Sequence, residues 1–360
     1  MEVFETQELW SRLKKKDKPI LIYGMGNGAD KIISVLNEIG IDPNGFFASD
    51  GFVRGNLFHG KRIVSYSEAC ATYGDFIVLI AFGSSLPDVM GNMKKIASEK
   101  ETYAPDVPVS GNELFTANFY LENLNKINRA RELLADEKSR EVFDEMIKFK
   151  LDGKISHFSV DSTKEDALKN ILSGNYSAYL DLGAYNGDTI KESLEYYPSI
   201  KKITAFEPSP RIFKKLSAYC NEISDVSIDL FNGGASRYDG DSEFIDGAGR
   251  NSQIANLSNI QAYDSKLANV KIAKPDTICK YKNEQLLIKF DIEGNEMDAL
   301  SGSIELINNN NCEMIVSLYH RSEDLFAIPL YINSIMPNKK LYIRKHPYIP
   351  AWDINLYVTN

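Results

Sequence analysis

The stretch Tyr179-Leu-Asp-Leu-Gly-Ala-Tyr-Asn-Gly-Asp188 decides the fold of this chain. It predicts an apolar strand that ends at Asp181, a turn with glycines at Gly183 and Gly187, and a helix that begins near Asp188-Thr189. A strand, a glycine turn and a helix let the backbone approach a ligand closely and direct helix N–H groups at it. The glycine spacing differs from the dinucleotide pattern G-x-G-x-x-G, because the acidic residue comes first, at the strand end. A carboxylate there suits a ligand with a positive charge, such as an amino group or a sulfonium.

The composition is that of an ordinary globular protein long enough for two domains. The 360 residues are 43% hydrophobic and 25% charged. The net charge of -9 argues against a general nucleic-acid surface, which needs clustered Lys and Arg. The four cysteines are far apart and fit a reducing cytoplasm. The sequence has no signal-peptide pattern, and its longest clean apolar run, residues 76–82, is too short to span a bilayer. We therefore expect a cytoplasmic protein without a membrane span.

An α/β segment, residues 1–115, precedes the organising stretch. It begins with a short amphipathic helix at residues 3–16, followed by a strand, the turn Gly24-Met-Gly-Asn-Gly-Ala29, a helix and a strand that ends at Asp50. An acid about 20 residues beyond a glycine turn is the position that holds ribose hydroxyls in nucleotide-binding βαβ units. Two further strands are expected at residues 61–64 and 75–82. These features predict a small Rossmann-like nucleotide-binding-type domain, although the same glycines serve tight packing equally well.

The rest of the chain divides into a helical linker and a second α/β domain. Apolar residues at helical spacing predict the linker over residues 116–172, and the domain covers residues 173–360. Its second strand ends at Glu207-Pro208, about 20 residues beyond the glycine turn. Asp181 and Glu207 together therefore predict a site for a nucleoside with a charged tail. After the third strand, Asn232-Gly-Gly-Ala-Ser236 supplies small residues that admit a flat base.

Charged residues follow the later strands of this domain. Residues 237–272 predict an antiparallel hairpin with a loop over the site. The next strand carries Lys289 and Asp291, and Glu293 follows; such groups are costly in a buried strand unless they are paired or functional. His320 follows another apolar strand, where Asp324 can support it as a base. Residues 340–344 and 354–358 predict a terminal antiparallel pair.

Five stretches of this domain jointly resemble the FkbM family of S-adenosylmethionine-dependent methyltransferases. They are Asp181-Leu-Gly-Ala-Tyr-Asn-Gly-Asp-Thr189, Phe206-Glu-Pro-Ser-Pro210, Ile288-Lys-Phe-Asp-Ile-Glu-Gly-Asn-Glu296, Ser317-Leu-Tyr-His-Arg-Ser-Glu-Asp324 and Leu341-Tyr-Ile-Arg-Lys-His346. The resemblance implies a seven-stranded class I methyltransferase sheet with an antiparallel edge strand, S-adenosyl-L-methionine as cofactor, and O-methylation of sugars or natural products. Where many relatives have Leu-Asp-Asp before the fourth strand, this chain has Lys274-Pro-Asp-Thr-Ile278.

The resemblance also implies roles for individual residues. Asp181, Gly183 and Gly187 line the methionine end, Glu207 holds the ribose, and Asp291 lies beside the transferred methyl. The cofactor-binding set we expect is Asp181, Gly183, Ala184, Tyr185, Gly187, Asp188, Thr189, Glu207, Pro208, Ala235, Ser236 and Asp291.

A protonated sugar hydroxyl is a poor nucleophile, so a general base is useful. The candidates are Asp291, Glu293 and His320, although a histidine bonded to backbone and a glutamate that caps a helix are ordinary structural alternatives. Lys289, Arg344 and His346 are candidates for substrate binding. No metal is predicted, because no tight ligand spacing is present.

Residues 1–115 resemble the N-terminal domain of bacterial sugar-modifying acyltransferases, which can hold a nucleotide-sugar. The resemblance lies in the Ile-Tyr-Gly start at residues 22–24 and in Gly60-Lys-Arg-Ile-Val-Ser65. The hypothesis is an α/β protein of two Rossmann-like domains that methylates a sugar, nucleotide-sugar or related precursor in glycan biosynthesis. An NAD-dependent oxidoreductase or epimerase that uses the Gly24–Gly28 turn, and a non-catalytic nucleotide-binding protein, stay open as alternatives. The oligomeric state stays open too.

Overall fold

A computed structural model describes residues 8–246, 253–254 and 266–360 of the chain. Two mainly parallel sheets dominate it, one built from residues 20–103 and the other from residues 178–359. They are termed the N-terminal sheet and the C-terminal sheet. No helix within the described ranges has the length and apolar character needed to cross a membrane.

The N-terminal sheet has six strands in the order β3-β4-β2-β1-β5-β6. All neighbouring pairs are parallel except β3 with β4. The strands are β1 (Ile20–Tyr23), β2 (Gly45–Ala48), β3 (Leu57–Phe58), β4 (Lys61–Ser65), β5 (Ile77–Ile80) and β6 (Glu101–Tyr103). The helices are α1 (Leu9–Leu13), α2 (Asn27–Glu38), α3 (Tyr66–Tyr73) and α4 (Pro87–Glu99). The sequence patterns did not indicate β3, α4 or β6, and the first part of the predicted helix at residues 3–16 lies outside the described residues.

Helices connect the two sheets. They are α5 (Ala117–Glu132), α6 (Glu137–Asp152), a 3₁₀ helix (Ile155–Val160) and α7 (Lys164–Asn170). The three α-helices start at Thr116, Asp136 and Thr163, whose side chains accept hydrogen bonds from backbone N–H groups of the first turn. Each of these three helices therefore begins where the local sequence supplies an N-cap residue.

The C-terminal sheet has seven strands in the order β16-β17-β15-β14-β7-β8-β9, which confirms the predicted seven-stranded α/β sheet. The strands are β7 (Ala178–Leu182), β8 (Lys202–Phe206), β9 (Ser227–Phe231), β14 (Gln285–Phe290), β15 (Asn311–Ser317), β16 (Lys340–Lys345) and β17 (Ile354–Thr359). The antiparallel strand is β17, which pairs with both β15 and β16 and so lies second from the edge. Lys289 lies opposite Asp181, and Asp181 opposite Ala205, so β7, β8 and β14 end at one level.

Further helices flank this sheet. They are α8 (Asp188–Tyr196), α9 (Pro210–Cys220), α10 (Pro275–Ile278), α11 (Glu296–Ser301), α12 (Ile304–Asn309) and α13 (Asp324–Ile335). Helix α5 packs on α13, and α6 packs on β16. Asp276, in the stretch that departs from the family pattern, accepts hydrogen bonds from Glu305 N (3.0 Å) and Leu306 N (2.8 Å). The carboxylate thus caps α12.

The insertion after β9 forms a small sheet. It contains β10 (Gly233–Ala235), β11 (Gly240–Asp246), β12 (Gln253–Ile254) and β13 (Lys266–Ala273). β11 and β13 are antiparallel, as predicted for the hairpin. The loop expected over the site falls largely on residues 247–252 and 255–265, which lie outside the described residues.

One hydrophobic cluster connects the two sheets. It includes Leu21 of the N-terminal sheet, Phe143 of α6, and Leu180 and Ile288 of the C-terminal sheet, all buried. A domain division at residues 115 and 172 stays a prediction, because apolar packing runs across both points. Ser84, beyond β5, and Ile349, between β16 and β17, exchange two backbone hydrogen bonds of 2.9 and 3.1 Å. The carboxyl end of the N-terminal sheet therefore meets the β16–β17 loop.

Candidate active site

A cavity of about 240 Å³ opens at the carboxyl ends of β7, β8 and β14. One wall is formed by the turn after β7 and by the segments after β8 and β9, and the facing wall by the turn after β14 and the β16–β17 loop. Parallel strands deliver their carboxyl-terminal residues to the same edge, which is where open α/β sheets bind ligands. The wall residues that matter below are Gly183, Tyr185, Asp188, Thr189, Glu207, Pro208, Ala235, Lys289, Asp291, Glu293, Ser317, Tyr319, Tyr348, Trp352, Asp353 and Asn355.

The glycine turn permits a close approach between the ends of β7 and β14. A Cβ atom on Gly183 would lie 2.0 Å from Asp291 O, and its φ of +97° is in the left-handed region. Only glycine combines that backbone angle with that contact at low cost. The turn after β7 therefore packs directly against the segment that carries Asp291.

Asp181 lies behind the cavity wall. It is fully buried, its Oδ2 accepts a hydrogen bond from Thr189 Oγ1 (2.5 Å), and its Oδ1 lies 3.4 Å from Lys289 Nζ. Lys289 Nζ also lies 3.3 Å from Gly183 O and 3.5 Å from Asp291 Oδ2. Burial alone would lower the pKa of Lys289, but the charges of Asp181 and Asp291 outweigh it and raise the pKa. Asp181 therefore keeps a buried lysine protonated and ties α8 to the sheet.

Glu207 forms the wall at the end of β8. Its Oε1 accepts a hydrogen bond from Ser209 N at 2.8 Å, and Asn232 Nδ2 donates to its backbone carbonyl at 2.8 Å. These contacts orient the carboxylate beside the small residues Gly233, Gly234 and Ala235, which line the same side. A fixed carboxylate next to a flat, small-residue surface is suited to a ribose with an attached base.

Asp291 is held as an anion. Ser317 Oγ donates to its Oδ1 at 2.9 Å and Tyr319 Oη at 3.1 Å. Burial tends to raise the pKa of Asp291, but Lys289, His320 and these hydroxyl donors outweigh it and hold the pKa far below the ordinary range. The side chain is 34% exposed, so a fixed negative charge faces the cavity.

Glu293 has the opposite electrostatic environment. Its backbone is in the left-handed region (φ +56°), which is unusual for a side chain of this kind. Burial raises the pKa of Glu293 to about 7; the Asp291 and Glu296 charges add to this, while His320 and Lys31 oppose it. Two neighbouring carboxylates therefore differ widely in pKa, which is how active sites separate the roles of acids.

His320 lies fully buried beneath both carboxylates. Its Nδ1 is 2.9 Å from Glu296 Oε1, and its Nε2 is 3.6 Å from Asp291 Oδ1 and from Glu293 Oε2. Nε2 has no hydrogen-bond partner among the residues described. Burial opposes the charged ring, but Glu296, Glu293 and Asp291 raise the pKa of His320 to about 10. The ring is therefore an imidazolium at neutral pH.

Residues 181–342 match the family model of the methyltransferase FkbM domain. This part of the chain is an FkbM methyltransferase domain. The predicted family is thereby confirmed, and the chain is a methyltransferase. A comparison of the sequence with curated proteins found no match.

Solved structures extend this likeness. An FkbM methyltransferase from Methylobacillus flagellatus KT is 19% identical, with a TM-score of 0.68 over 99% of this chain and 92% of that chain. It shows a shared fold that includes the N-terminal sheet. A SAM-dependent methyltransferase from Aquifex aeolicus is 10% identical, with a TM-score of 0.31 over 64% of this chain and 97% of that chain. A score that low says nothing further about this chain.

The structure places several predicted residues away from the cavity. Arg344 Nη2 lies 2.6 Å from Asp136 Oδ2, and His346 bonds Ser162 O (2.8 Å) and Tyr357 Oη (2.7 Å). Both side chains fasten the end of β16 to the helical segment, and neither is among the residues that line the cavity. Their predicted substrate contact is corrected accordingly. The cavity wall also excludes Asp181, Ala184, Gly187, Ser236 and His320.

The predicted partner of His320 is corrected as well. Asp324 Oδ2 accepts a hydrogen bond from Arg321 N at 2.7 Å, at the start of α13. The carboxylate that bonds the His320 ring nitrogen is Glu296, because the first turn of α11 lies next to the imidazole. Glu296 closes the Ile288–Glu296 stretch quoted above, but the pattern does not indicate which acid meets the histidine.

Sequence patterns missed the wall of the β16–β17 loop. Tyr348 and Trp352 have ring centroids 6.3 Å apart at an angle of 35°, and Asp353 and Asn355 follow them. The sequence could have indicated Ser317 and Tyr319 as site residues, since they alternate along one of the quoted family stretches. The loop carries no periodic pattern, so nothing local marks its aromatic residues as part of a site.

The glycine turn after β1 has structural roles in packing and capping. A Cβ atom on Gly28 would lie 2.2 Å from Ala81 O, so glycine permits α2 to pack on the end of β5. The Asp50 carboxylate accepts hydrogen bonds from Ser67 N (3.0 Å) and Ser67 Oγ (2.6 Å), at the start of α3. These contacts account for both features that suggested a nucleotide pocket, and the resemblance to sugar-modifying acyltransferases stays a prediction.

Proposed function

We propose that the chain transfers a methyl group from S-adenosyl-L-methionine to a hydroxyl oxygen of a sugar, nucleotide-sugar or related glycan precursor. One observation carries the proposal. Glu207, at the end of β8, and the Asp291–Glu293 turn, after β14, face the same cavity on either side of the Gly183 turn. A ribose carboxylate on one side and paired acids on the other fit a nucleoside with a cationic tail.

The charge of the cavity supports this cofactor. Its wall contains the carboxylates Asp188, Glu192, Glu207, Asp291, Glu293 and Asp353 against the lysines Lys164 and Lys289. When bound, S-adenosylmethionine supplies a methyl group on a positively charged sulfur that departs as a neutral thioether. An acidic wall attracts such a sulfonium. The residues proposed to hold the cofactor are Gly183, Tyr185, Asp188, Thr189, Glu207, Pro208 and Ala235, with Asp181 supporting them from behind.

Glu293 is the proposed general base. A pKa of about 7 lets its carboxylate accept the proton of the acceptor hydroxyl near neutral pH. Asp291 remains ionised and supplies a fixed negative charge beside the methyl group. His320 is already protonated, so its proposed role is to hold both carboxylates from below.

The acceptor class follows from the facing wall. Tyr348 and Trp352 offer apolar ring surface, and Asp353 and Asn355 offer hydrogen-bonding groups. Aromatic surface with a few polar groups binds a hydroxyl-rich ring through its C–H face and its hydroxyls. The acidic wall repels phosphate, so the reacting end of the acceptor is uncharged or cationic, and a nucleotide diphosphate would have to lie outside the cavity.

Calorimetric titration with S-adenosylhomocysteine tests the cofactor assignment. We expect micromolar binding that Glu207→Ala weakens at least tenfold, or about 1.4 kcal/mol. Glu222→Ala is the matched control, because Glu222 is exposed beyond α9. Folded protein that binds no S-adenosylhomocysteine would remove the proposal. Incubation with S-adenosylmethionine and a panel of neutral sugars, amino sugars and nucleotide-sugars then identifies the acceptor by S-adenosylhomocysteine release.

A further inference from the structure

The turn that carries Glu293 rests on the N-terminal region, residues 8–115. A Cβ atom on Gly294 would lie 2.4 Å from Ser110 Cβ, so the Ser110 side chain packs directly on the Gly294 backbone. Ser110 N also donates to His320 O at 2.9 Å, and Arg321 Nε donates to Gly294 O at 2.6 Å. The strip Pro108-Val109-Ser110 therefore supports the proposed base and the histidine at the same time.

Lys31, on α2, anchors this strip. Its Nζ donates to Pro108 O at 2.7 Å and to Val109 O at 2.6 Å. Burial lowers the pKa of Lys31 to about 8, and the Glu293 charge opposes that shift. The lysine is thus a half-buried cation whose two hydrogen bonds fix the backbone under the Glu293–Gly294 turn.

Four charged groups act on Glu293. Asp291, Glu296 and His320 belong to the FkbM domain, and Lys31 comes from α2 of the N-terminal region. Beside Lys31 on the same helix, Asp30 is engaged with His59 Nε2 at 2.7 Å. Lys31 therefore joins the electrostatic environment of the proposed base from outside the matched domain.

We propose that Lys31 is a positioning residue of the methyl-transfer site: it holds the Pro108–Ser110 strip under the Glu293–Gly294 turn and contributes a positive charge to the surroundings of the proposed base. The inference rests on the proposed function of the site. It assigns the N-terminal region a direct part in methyl transfer, because residues 108–110 pack under the turn that carries the proposed base. A separate ligand for that region is not required.

The test uses the ratio of the affinities for S-adenosylmethionine and S-adenosylhomocysteine, measured by calorimetry from pH 5.5 to 8.5 on the full chain. The two ligands differ by a methyl group and one positive charge, so the ratio rises as Glu293 ionises. In the unchanged protein we expect a rise centred near pH 7, which Glu293→Gln abolishes. This readout needs no acceptor.

Substitutions of Lys31 separate charge from anchoring. Lys31→Gln keeps hydrogen-bond donors for the two carbonyls but removes the charge, so the midpoint should move up by roughly half a pH unit. Lys31→Arg keeps the charge and should restore the midpoint. Lys14→Gln removes an exposed lysine from the same region and should leave the midpoint unchanged.

Each outcome decides a separate point. Intact S-adenosylhomocysteine binding with the same midpoint in Lys31→Gln overturns the role of Lys31 and leaves the proposed function standing. An equal shift in Lys31→Gln and Lys31→Arg also overturns it, since charge would then not be the cause. Absence of S-adenosylhomocysteine binding in the unchanged protein overturns the proposed function and, with it, this inference.

Discussion

Glu293 should destabilise the folded protein above neutral pH. Its pKa is raised from 4.5 to about 7, and each pKa unit corresponds to about 1.4 kcal/mol, so the full penalty is about 3 kcal/mol. The side chain is 26% exposed, and solvent screening reduces the expected value to about 1–3 kcal/mol. The penalty is absent where the carboxyl is protonated in both folded and unfolded chains. It grows from pH 4.5 to about 7 and is constant above that.

Glu293→Gln removes the ionisable group and keeps the shape of its protonated form. We expect the variant to exceed the unchanged protein in free energy of unfolding by about 1–3 kcal/mol at pH 8.5, and by about half of that or less at pH 5.5. Urea unfolding at the two pH values measures the difference. The same variant should lose methyl transfer, because the base is gone.

A matched substitution guards against a general effect of removing negative charge from an acidic protein. Glu195→Gln changes an exposed glutamate of α8, and it should not reproduce the pH-dependent gain. Equal or lower stability of Glu293→Gln at pH 8.5 would refute the reasoning. The assignment of Glu293 as the base would then lose its physical ground.

Three further outcomes are expected. Asp181→Asn should lower the stability by about 3–5 kcal/mol, because it leaves buried Lys289 without its main counter-charge; unfolding at the unchanged temperature would contradict this. Gly83→Val should raise the acceptor KM without changing S-adenosylhomocysteine affinity, since a Cβ there would lie 2.6 Å from both Trp352 and Tyr348; Gly91→Ala, with open space around it, is the control. The methyl-transfer rate should rise with pH through a midpoint near 7 as Glu293 ionises, and a rate independent of pH from 5.5 to 8.5 would exclude it as the base.

The role of Asp181 illustrates where sequence reasoning must be revised. The strand-end position and the family resemblance suggested that Asp181 contacts the cofactor directly. In the structure the carboxylate is fully buried against Lys289 and Thr189. Substitution of Asp181 is therefore expected to lower the stability of the fold. Glu207, which faces the cavity, is the better residue to substitute in a test of cofactor binding.

The sequence by itself determined the alternation of strands and helices, the strand-end acids Asp181, Glu207 and Asp291, and the FkbM family. These features are local: a strand, a turn and a helix are encoded in consecutive residues, so short patterns reveal them. Parallel topology then brings the strand ends together without further information. Glu207, Asp291 and Glu293 could therefore be expected around one cavity from the sequence alone.

Only the tertiary structure decided the proton chemistry and the boundary of the site. Contacts between residues far apart in the chain decide that Glu296 bonds His320 and that the pKa of Glu293 is raised to about 7. They also bring Trp352 and Lys31 to the site. Burial and charge set a pKa through neighbours in space, and no sequence spacing encodes those distances. Arg344 and His346 were misplaced for the same reason: their position at a strand end did not tell which direction the side chains would take.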